Sequence, residues 1–113
     1  MKDPLQARRC AQLLGALAAP ERLRIMRLLS DGPRNVTEIA EKLQTALVNV
    51  SHHLGVLRHA GLIRGRKQGR FVLYSLRPGV LQPDEESAAT ECLNLGCCRL
   101  ELPRDQDTAT PSE

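Results

Sequence analysis

The chain has 113 residues, a formal charge of +3, one Tyr, one Phe and no Trp, so aliphatic side chains must fill its core. A chain of this length makes one domain with a modest core, and no segment reaches the roughly 20 apolar residues that cross a membrane. These properties exclude a multidomain or membrane-spanning protein, and we expect a soluble cytoplasmic one.

Charge is unevenly divided along the chain. Residues 1–77 carry 14 Lys or Arg against 5 Asp or Glu, whereas residues 78–113 carry 2 against 8. The modest total therefore conceals a strongly basic first part, as expected of a portion that binds nucleic acid.

The first two helices are predicted from the spacing of apolar residues. Residues 5–18 place three leucines on one helical stripe, which favours a helix of the domain over an export signal. Pro20 begins a second helix, which ends at the Asp-Gly-Pro of residues 31–33.

A helix-turn-helix pair is predicted next. The supporting helix carries an apolar stripe from Val36 to Leu43, and Asn35 or Thr37 can cap its exposed amides. After a turn at residues 44–46, a second helix turns one stripe towards the core, formed by Leu47, Val50, Leu54 and Leu57. The opposite face carries hydrogen-bonding groups near the helix start, as a recognition helix does.

A basic hairpin follows this helix. Strands at residues 62–67 and 71–76 alternate apolar with polar residues around a tip at residues 68–70. A solvated hairpin is the simpler interpretation, but the preceding helix pair favours a wing that reaches phosphates or the minor groove. The predicted fold is mainly α with a small β-hairpin, a dimeric winged helix-turn-helix. The candidate DNA-binding residues are Thr45, Asn49, Ser51, His52, Arg58, Arg64, Arg66, Lys67 and Arg70.

Two stretches of sequence resemble one known family. SHHLGVLRHAGLIRGRKQGRFVLYSL is similar to the recognition helix and wing of the ArsR/SmtB family of dimeric transcriptional repressors, and APERLRIMRLL to its second helix. The resemblance covers roughly residues 10–77 and implies a homodimer on double-stranded operator DNA. Family members commonly carry Ser or Gln where this chain has Leu47 and Val48, so Asn49, Ser51 and His52 become the better candidates for base contacts.

The part after the wing is predicted to contain one more helix. Pro83 and the acids that follow it suit a helix start, and Gly96 suits a stop, so we expect a helix over residues 83–95. The resemblance implies that this helix and the first one form the dimer interface. Alternation after residue 98 favours a short strand. We therefore expect one winged-helix domain at residues 1–102 and a disordered tail at residues 103–113.

Four cysteines make this part of the chain distinctive. A reducing cytoplasm favours free thiols, metal ligands or redox sensors over structural bridges. The α carbons of Cys97 and Cys98 are about 3.8 Å apart, shorter than the usual disulfide span of roughly 4.4 Å or more. We therefore predict that Cys92, Cys97 and Cys98, with Cys10 as a further candidate, converge on a soft ion.

The inducer is predicted from this thiol chemistry. We expect no obligatory cofactor; arsenite or a soft metal ion on the cysteine thiolates leads, and a reversible dithiol switch that senses oxidation or sulfur species follows. Many family members use a Cys-x-Cys on the supporting helix, but residues 35–40 contain no cysteine, so no ligand assignment carries over. Inert buried cysteines, in a repressor that responds to no inducer, are the alternative.

The predicted function is sequence-specific DNA binding by a transcriptional regulator, a repressor that an inducer releases through the thiols. A winged-helix module for protein interaction is the stronger rival, but a protein partner needs an exposed apolar patch rather than wing cations. We predict no enzymatic activity, because no paired carboxylates, Gly-rich phosphate loop or Cys-His constellation is evident.

Overall fold

The computed structural model describes residues 5–82 and 90–104, which form four helices followed by five strands. The helices are α1 (Ala7–Ala16), α2 (Pro20–Leu29), α3 (Val36–Leu43) and α4 (Leu47–His59). The strands are β1 (Ile63–Gln68), β2 (Phe71–Leu76), β3 (Leu81–Gln82), β4 (Thr90–Asn94) and β5 (Arg99–Pro103). In these ranges, no helix has both the length and the apolar character needed to cross a bilayer.

The predicted start of α3 is confirmed in detail. The N–H of Glu38 donates to the side-chain oxygen of Asn35 at 2.9 Å, and the N–H of Asn35 donates to the Glu38 carboxylate at 2.9 Å. This reciprocal capping box satisfies two amides that a helix start otherwise leaves unpaired. At the other end, Gln44 adopts a left-handed conformation (φ 55°) that ends α3 and starts the turn.

Helix α4 anchors the hydrophobic core. Val50, Leu54 and Leu57 are at most 1% exposed and belong to the same buried cluster as Ile25 and Ile39 of α2 and α3. This buried stripe confirms the predicted orientation of the second helix of the pair.

The prediction that Leu47 belongs to the buried stripe of α4 is wrong. Leu47 is 51% exposed. It lies about 60° around the helix from Val50 and in the first turn, where no earlier turn covers it, so it falls at the edge of the buried stripe.

The wing has the predicted form. β1 and β2 pair antiparallel from Ile63 opposite Leu76 to Gln68 opposite Phe71. The two-residue turn begins with Gly69, whose φ of 63° is the conformation such hairpins demand. Two backbone hydrogen bonds also link the wing to the α2–α3 connection: N–H of Arg34 to the Tyr74 carbonyl at 3.0 Å, and N–H of Tyr74 to the Arg34 carbonyl at 2.8 Å.

The predicted helix over residues 83–95 is wrong where the structure describes it. Residues 90–94 form β4, which pairs with β3 and β5, while residues 83–89 lie outside the described ranges. Apolar residues spaced for a helix stripe also serve a strand when both neighbours bury it, and Cys92 and Leu93 are 2% and 0% exposed. The predicted short strand is confirmed as β5.

A disulfide bond joins α1 to the turn between β4 and β5. The Sγ atoms of Cys10 in α1 and Cys97 in the β4–β5 turn are bonded, whereas Cys92 and Cys98 are free. The expectation of unbridged thiols is therefore wrong for Cys10 and Cys97. The sequence offers only the spacing of neighbouring cysteines, whereas the fold brings together two α carbons that are 87 positions apart in the chain and 5.9 Å apart in space.

The described structure continues past residue 102, the predicted end of the domain. β5 includes Pro103, and the Arg104 guanidinium lies 3.3 Å from the carboxylate of the buried Glu91. It also donates to the Thr90 carbonyl at 3.3 Å. Pro103 and Arg104 thus belong to the described fold, and residues 105–113 lie outside the described ranges.

Replacing Gly65 by Ala should destabilise the wing. A Cβ there would lie 2.9 Å from Cγ1 of Val72 and 3.1 Å from Cε1 of Tyr74, across the hairpin. We expect Gly65→Ala to lower the free energy of unfolding by about 1–3 kcal/mol in urea titrations. Gly15→Ala is the control, because it meets no atom within 4 Å in α1 and should raise that free energy by about 0.5–1 kcal/mol. Equal changes in both variants would contradict the close approach at Gly65.

Reducing the disulfide bond between Cys10 and Cys97 should make the protein less stable. Because their bond closes a long loop, a reductant should reduce the free energy of unfolding by about 2–5 kcal/mol. In urea titrations, Cys10→Ser should resemble the reduced protein with or without reductant, whereas Cys98→Ser should keep the full effect. A wild-type midpoint that is the same in both conditions would contradict the pairing.

Candidate functional site

The outward face of α4 carries the predicted base-contacting residues. Asn49, Ser51 and His52 are exposed, as is Arg58 near the helix end. They are exposed because the stripe on the other side of the helix is buried in the core. Ala46 precedes the helix and offers no capping side chain, so the N–H groups of Leu47 and Val48 remain available to an acceptor such as a phosphate, whereas the N–H of Asn49 donates to the Ala46 carbonyl at 3.0 Å.

Thr45 differs from the other candidates. It is half-buried in the turn before α4, and its hydroxyl donates to the Leu43 carbonyl at 3.1 Å. A phosphate accepts hydrogen bonds only, so contact with one would require Thr45 to give up this internal bond. The structure therefore places Thr45 beside the outward face rather than on it.

The cations at the end of α4 and in the wing are exposed and have no acidic partner within the described fold. Within the part of the chain that the structure describes, Arg58, Arg64, Arg66, Lys67 and Arg70 form no ion pair or side-chain hydrogen bond. Residues 42–82 contain seven Lys or Arg and no Asp or Glu. The stretch that forms α4 and the wing is thus positive and contains no acid, which suits a polyanion.

The fold uses other arginines for its own contacts. Arg9 donates from Nη2 to the Ala60 carbonyl at 2.8 Å, and Arg22 donates from Nε to the Ala16 carbonyl at 2.6 Å. Arg27 lies 3.2 Å from the Asp31 carboxylate. Arg9 thus links α1 to the end of α4, Arg22 links α2 to α1, and Arg27 forms its ion pair at the end of α2. The wing cations form no such contact within the described fold.

A cluster of three sulfur atoms forms a second candidate site. The Sγ atoms of Cys10, Cys97 and Cys98 all lie within 4.8 Å of one another, and Cys98 Sγ is 3.8 Å from Cys10 Sγ and 3.9 Å from Cys97 Sγ. We call these three residues the thiol cluster. Cys10 is buried and the other two are half-buried.

The structure does not bring Cys92 together with Cys97 and Cys98. Cys92 lies within β4, opposite Gln82 and Glu101, and not in the turn that carries the other two. Cys10, predicted only as a further candidate, takes its place. A signal for this existed, because Cys10 stands three residues before Leu13 and shares its buried face of α1.

The cluster's geometry suits a soft ion once the disulfide is reduced. Two thiolates bound at about 2.3 Å in tetrahedral geometry lie about 3.8 Å apart, close to the two separations of Cys98. The third pair, Cys10 and Cys97, must first lose its bond. As the structure stands, Cys98 is a free thiol beside a disulfide, which also suits thiol–disulfide exchange.

Comparison with known proteins places the chain in a family. A profile described as a helix-turn-helix domain matches residues 17–66. The HTH-type transcriptional regulator NmtR of Mycobacterium tuberculosis is 45% identical over 74 residues, which cover 66% of this chain and 62% of the relative. The HTH-type transcriptional repressor SmtB of the same species is 43% identical over 65 residues, which cover 58% of this chain and 48% of the relative. The chain thus spans less than two thirds of either.

A solved structure agrees with these relatives. It is the homodimeric winged helix-turn-helix DNA-binding domain of a possible ArsR-family transcriptional regulator from Mycobacterium bovis, with a TM-score of 0.61 and 32% identity. The similarity covers 67% of this chain and 72% of that one. Because the chain is 32% identical to this domain and covers more than two thirds of it, the chain belongs to the ArsR/SmtB family of winged helix-turn-helix transcriptional regulators.

Proposed function

We propose that this chain is a homodimeric repressor that binds duplex operator DNA and releases it when an inducer acts on the thiol cluster. The observation that carries DNA binding is the exposed polar face of α4 beside an acid-free, cationic wing. The repressor name of SmtB supports repression, and the homodimeric state of the Mycobacterium bovis domain supports the dimer. Its site of action is the cytoplasm, where operator DNA lies.

The proposed complex follows from the position of α4. In a symmetric dimer two copies of α4 lie about 34 Å apart, one turn of DNA, and meet an inverted repeat. Asn49, Ser51 and His52 face base edges. Arg64 and Arg66, two residues apart in β1 and therefore on one face of the strand, reach the phosphates.

DNA affinity should depend on wing charge and on salt. For a duplex selected by the protein from a randomised library, Arg66→Ala should reduce the slope of log K against log salt by about 0.9 for each phosphate that is no longer neutralised, twice per dimer. Arg99→Ala in β5 is the matched control, because it removes an exposed cation from another part of the chain and should leave the slope unchanged. Fluorescence anisotropy at several salt concentrations measures both. Equal slopes for Arg66→Ala and the wild type would contradict a phosphate contact, and salt-insensitive or absent binding would favour a protein-interaction module.

The sensing step is proposed to begin with a reduced cluster. A cellular dithiol reduces the Cys10–Cys97 bond and is itself oxidised to a disulfide. Arsenite, As(OH)₃, then exchanges its three hydroxyls for the three cysteine sulfurs, and each thiol proton leaves with a hydroxyl as water. Reversible closure of the Cys10–Cys97 disulfide by an oxidant is the second form of the proposal.

A direct connection links the cluster to the recognition helix. Arg9, the neighbour of Cys10 in α1, donates to the Ala60 carbonyl at the end of α4. Chemistry at Cys10 therefore acts one residue from a contact that holds α4. Moving a dimer from mostly bound to mostly free, for example from 99:1 to 1:99, requires about 5.5 kcal/mol of differential affinity. We expect inducer chemistry in both subunits to contribute to this free energy.

The inducer should act through the cluster and not through Cys92. In reducing buffer, arsenite should release the wild-type protein from its selected duplex, whereas Cys10→Ser and Cys98→Ser should stay bound. Cys92→Ser is the control and should respond like the wild type, because Cys92 lies in β4, outside the cluster.

Diamide provides the second arm of this experiment. Release of Cys98→Ser by diamide, without release of Cys10→Ser, would select the dithiol switch over the three-sulfur site. A Cys10→Ser protein that responds fully to both reagents would contradict any role of the cluster.

A further inference from the structure

Val48 is an exposed apolar side chain on the face of α4 that carries Asn49, Ser51 and His52. It is 73% exposed, the highest value among the exposed large apolar residues of the described chain. It lies in the first turn of α4, four residues before His52, and the two therefore share one face of the helix. Val50, by contrast, is fully buried on the opposite side. An apolar group thus stands on the face that the proposed function turns towards DNA.

The chemistry of the major groove offers Val48 one kind of partner. Base edges there present hydrogen-bond donors and acceptors, and the C5-methyl group of thymine is the apolar exception. A protein partner would need a continuous apolar patch, whereas the exposed apolar pair Leu47 and Val48 is followed by Asn49 and lies within the acid-free, basic residues 42–82. The position at the start of the helix is also the one that recognition helices use to reach bases.

We propose that Val48 contacts the C5-methyl group of a thymine in each half-site and so helps to set which operator sequence the protein binds. This inference rests on the proposed DNA-binding function. It assigns sequence discrimination to van der Waals contact at the helix start, while the hydrogen-bonding groups of Asn49, Ser51 and His52 read neighbouring positions.

Leu47 provides a matched control within the same turn. It is also apolar and 51% exposed, but it lies about 100° around the helix from Val48, towards the edge of the buried stripe. The contact is assigned to Val48 alone, so truncating Leu47 should not affect recognition of the same methyl group.

The test removes the methyl group from the DNA and its partner from the protein separately. The full chain selects a duplex from a library with a randomised centre, and each thymine of that duplex is then replaced in turn by uracil, which lacks only the C5-methyl group. Affinities for wild type, Val48→Ala and Leu47→Ala are measured by fluorescence anisotropy at one salt concentration. Circular dichroism checks that both variants remain folded.

At one thymine per half-site, uracil should weaken wild-type binding about fourfold, the value of one buried methyl-sized group. The same replacement should change binding by Val48→Ala less than about twofold, and binding by Leu47→Ala as much as the wild type. A uracil effect that persists in Val48→Ala would reflect DNA deformability and overturn the proposal, as would the absence of any uracil effect. Failure to select any duplex would instead overturn the DNA-binding function itself.

Discussion

Burial of one side of α4 is the constraint on which the rest of the structure depends. Val50, Leu54 and Leu57 are almost completely inaccessible, and each contributes about 1.5–3 kcal/mol by leaving water. With that side held in the core, the opposite side must face solvent. The chain continues at once into β1, whose first residue Ile63 is 1% exposed and also belongs to the core. The same burial therefore orients the outward face of α4 and anchors the base of the wing beside it.

The positive charge of the protein is divided between two tasks. Arg9 and Arg22 donate to backbone carbonyls at helix ends, where they replace water on groups that the helices leave unpaired. The wing cations have no acid nearby in the sequence and no partner in the described fold, so their charge remains available to phosphates. The backbone pairing of Arg34 with Tyr74 holds the wing to the connection before α3. A positive, positioned hairpin results, and this is a surface suited to a duplex.

Much of the fold and of the DNA-facing site could be predicted from particular residues. Asn35 with Glu38 marks the start of α3, and Pro20 marks the start of α2. Gly69 marks the turn of the hairpin. These signals are local, since each acts within a few residues of itself. Thr45 is a partial exception among the candidate DNA-binding residues. Only the geometry of the turn shows that its hydroxyl donates to the Leu43 carbonyl rather than facing outward.

The sequence by itself determined the helix-turn-helix, the wing and the acid-free basic stretch, because helix caps, tight turns, apolar periodicity and charge all act over short distances. Only the tertiary structure decided the form of the C-terminal part and the membership of the thiol cluster. Residues 90–94 have a pattern that suits either a helix or a strand, and pairing with β3 and β5 selects the strand. Cys10 meets Cys97 and Cys98 because the core packs α1 against the β4–β5 turn, a contact between distant segments that no local pattern encodes.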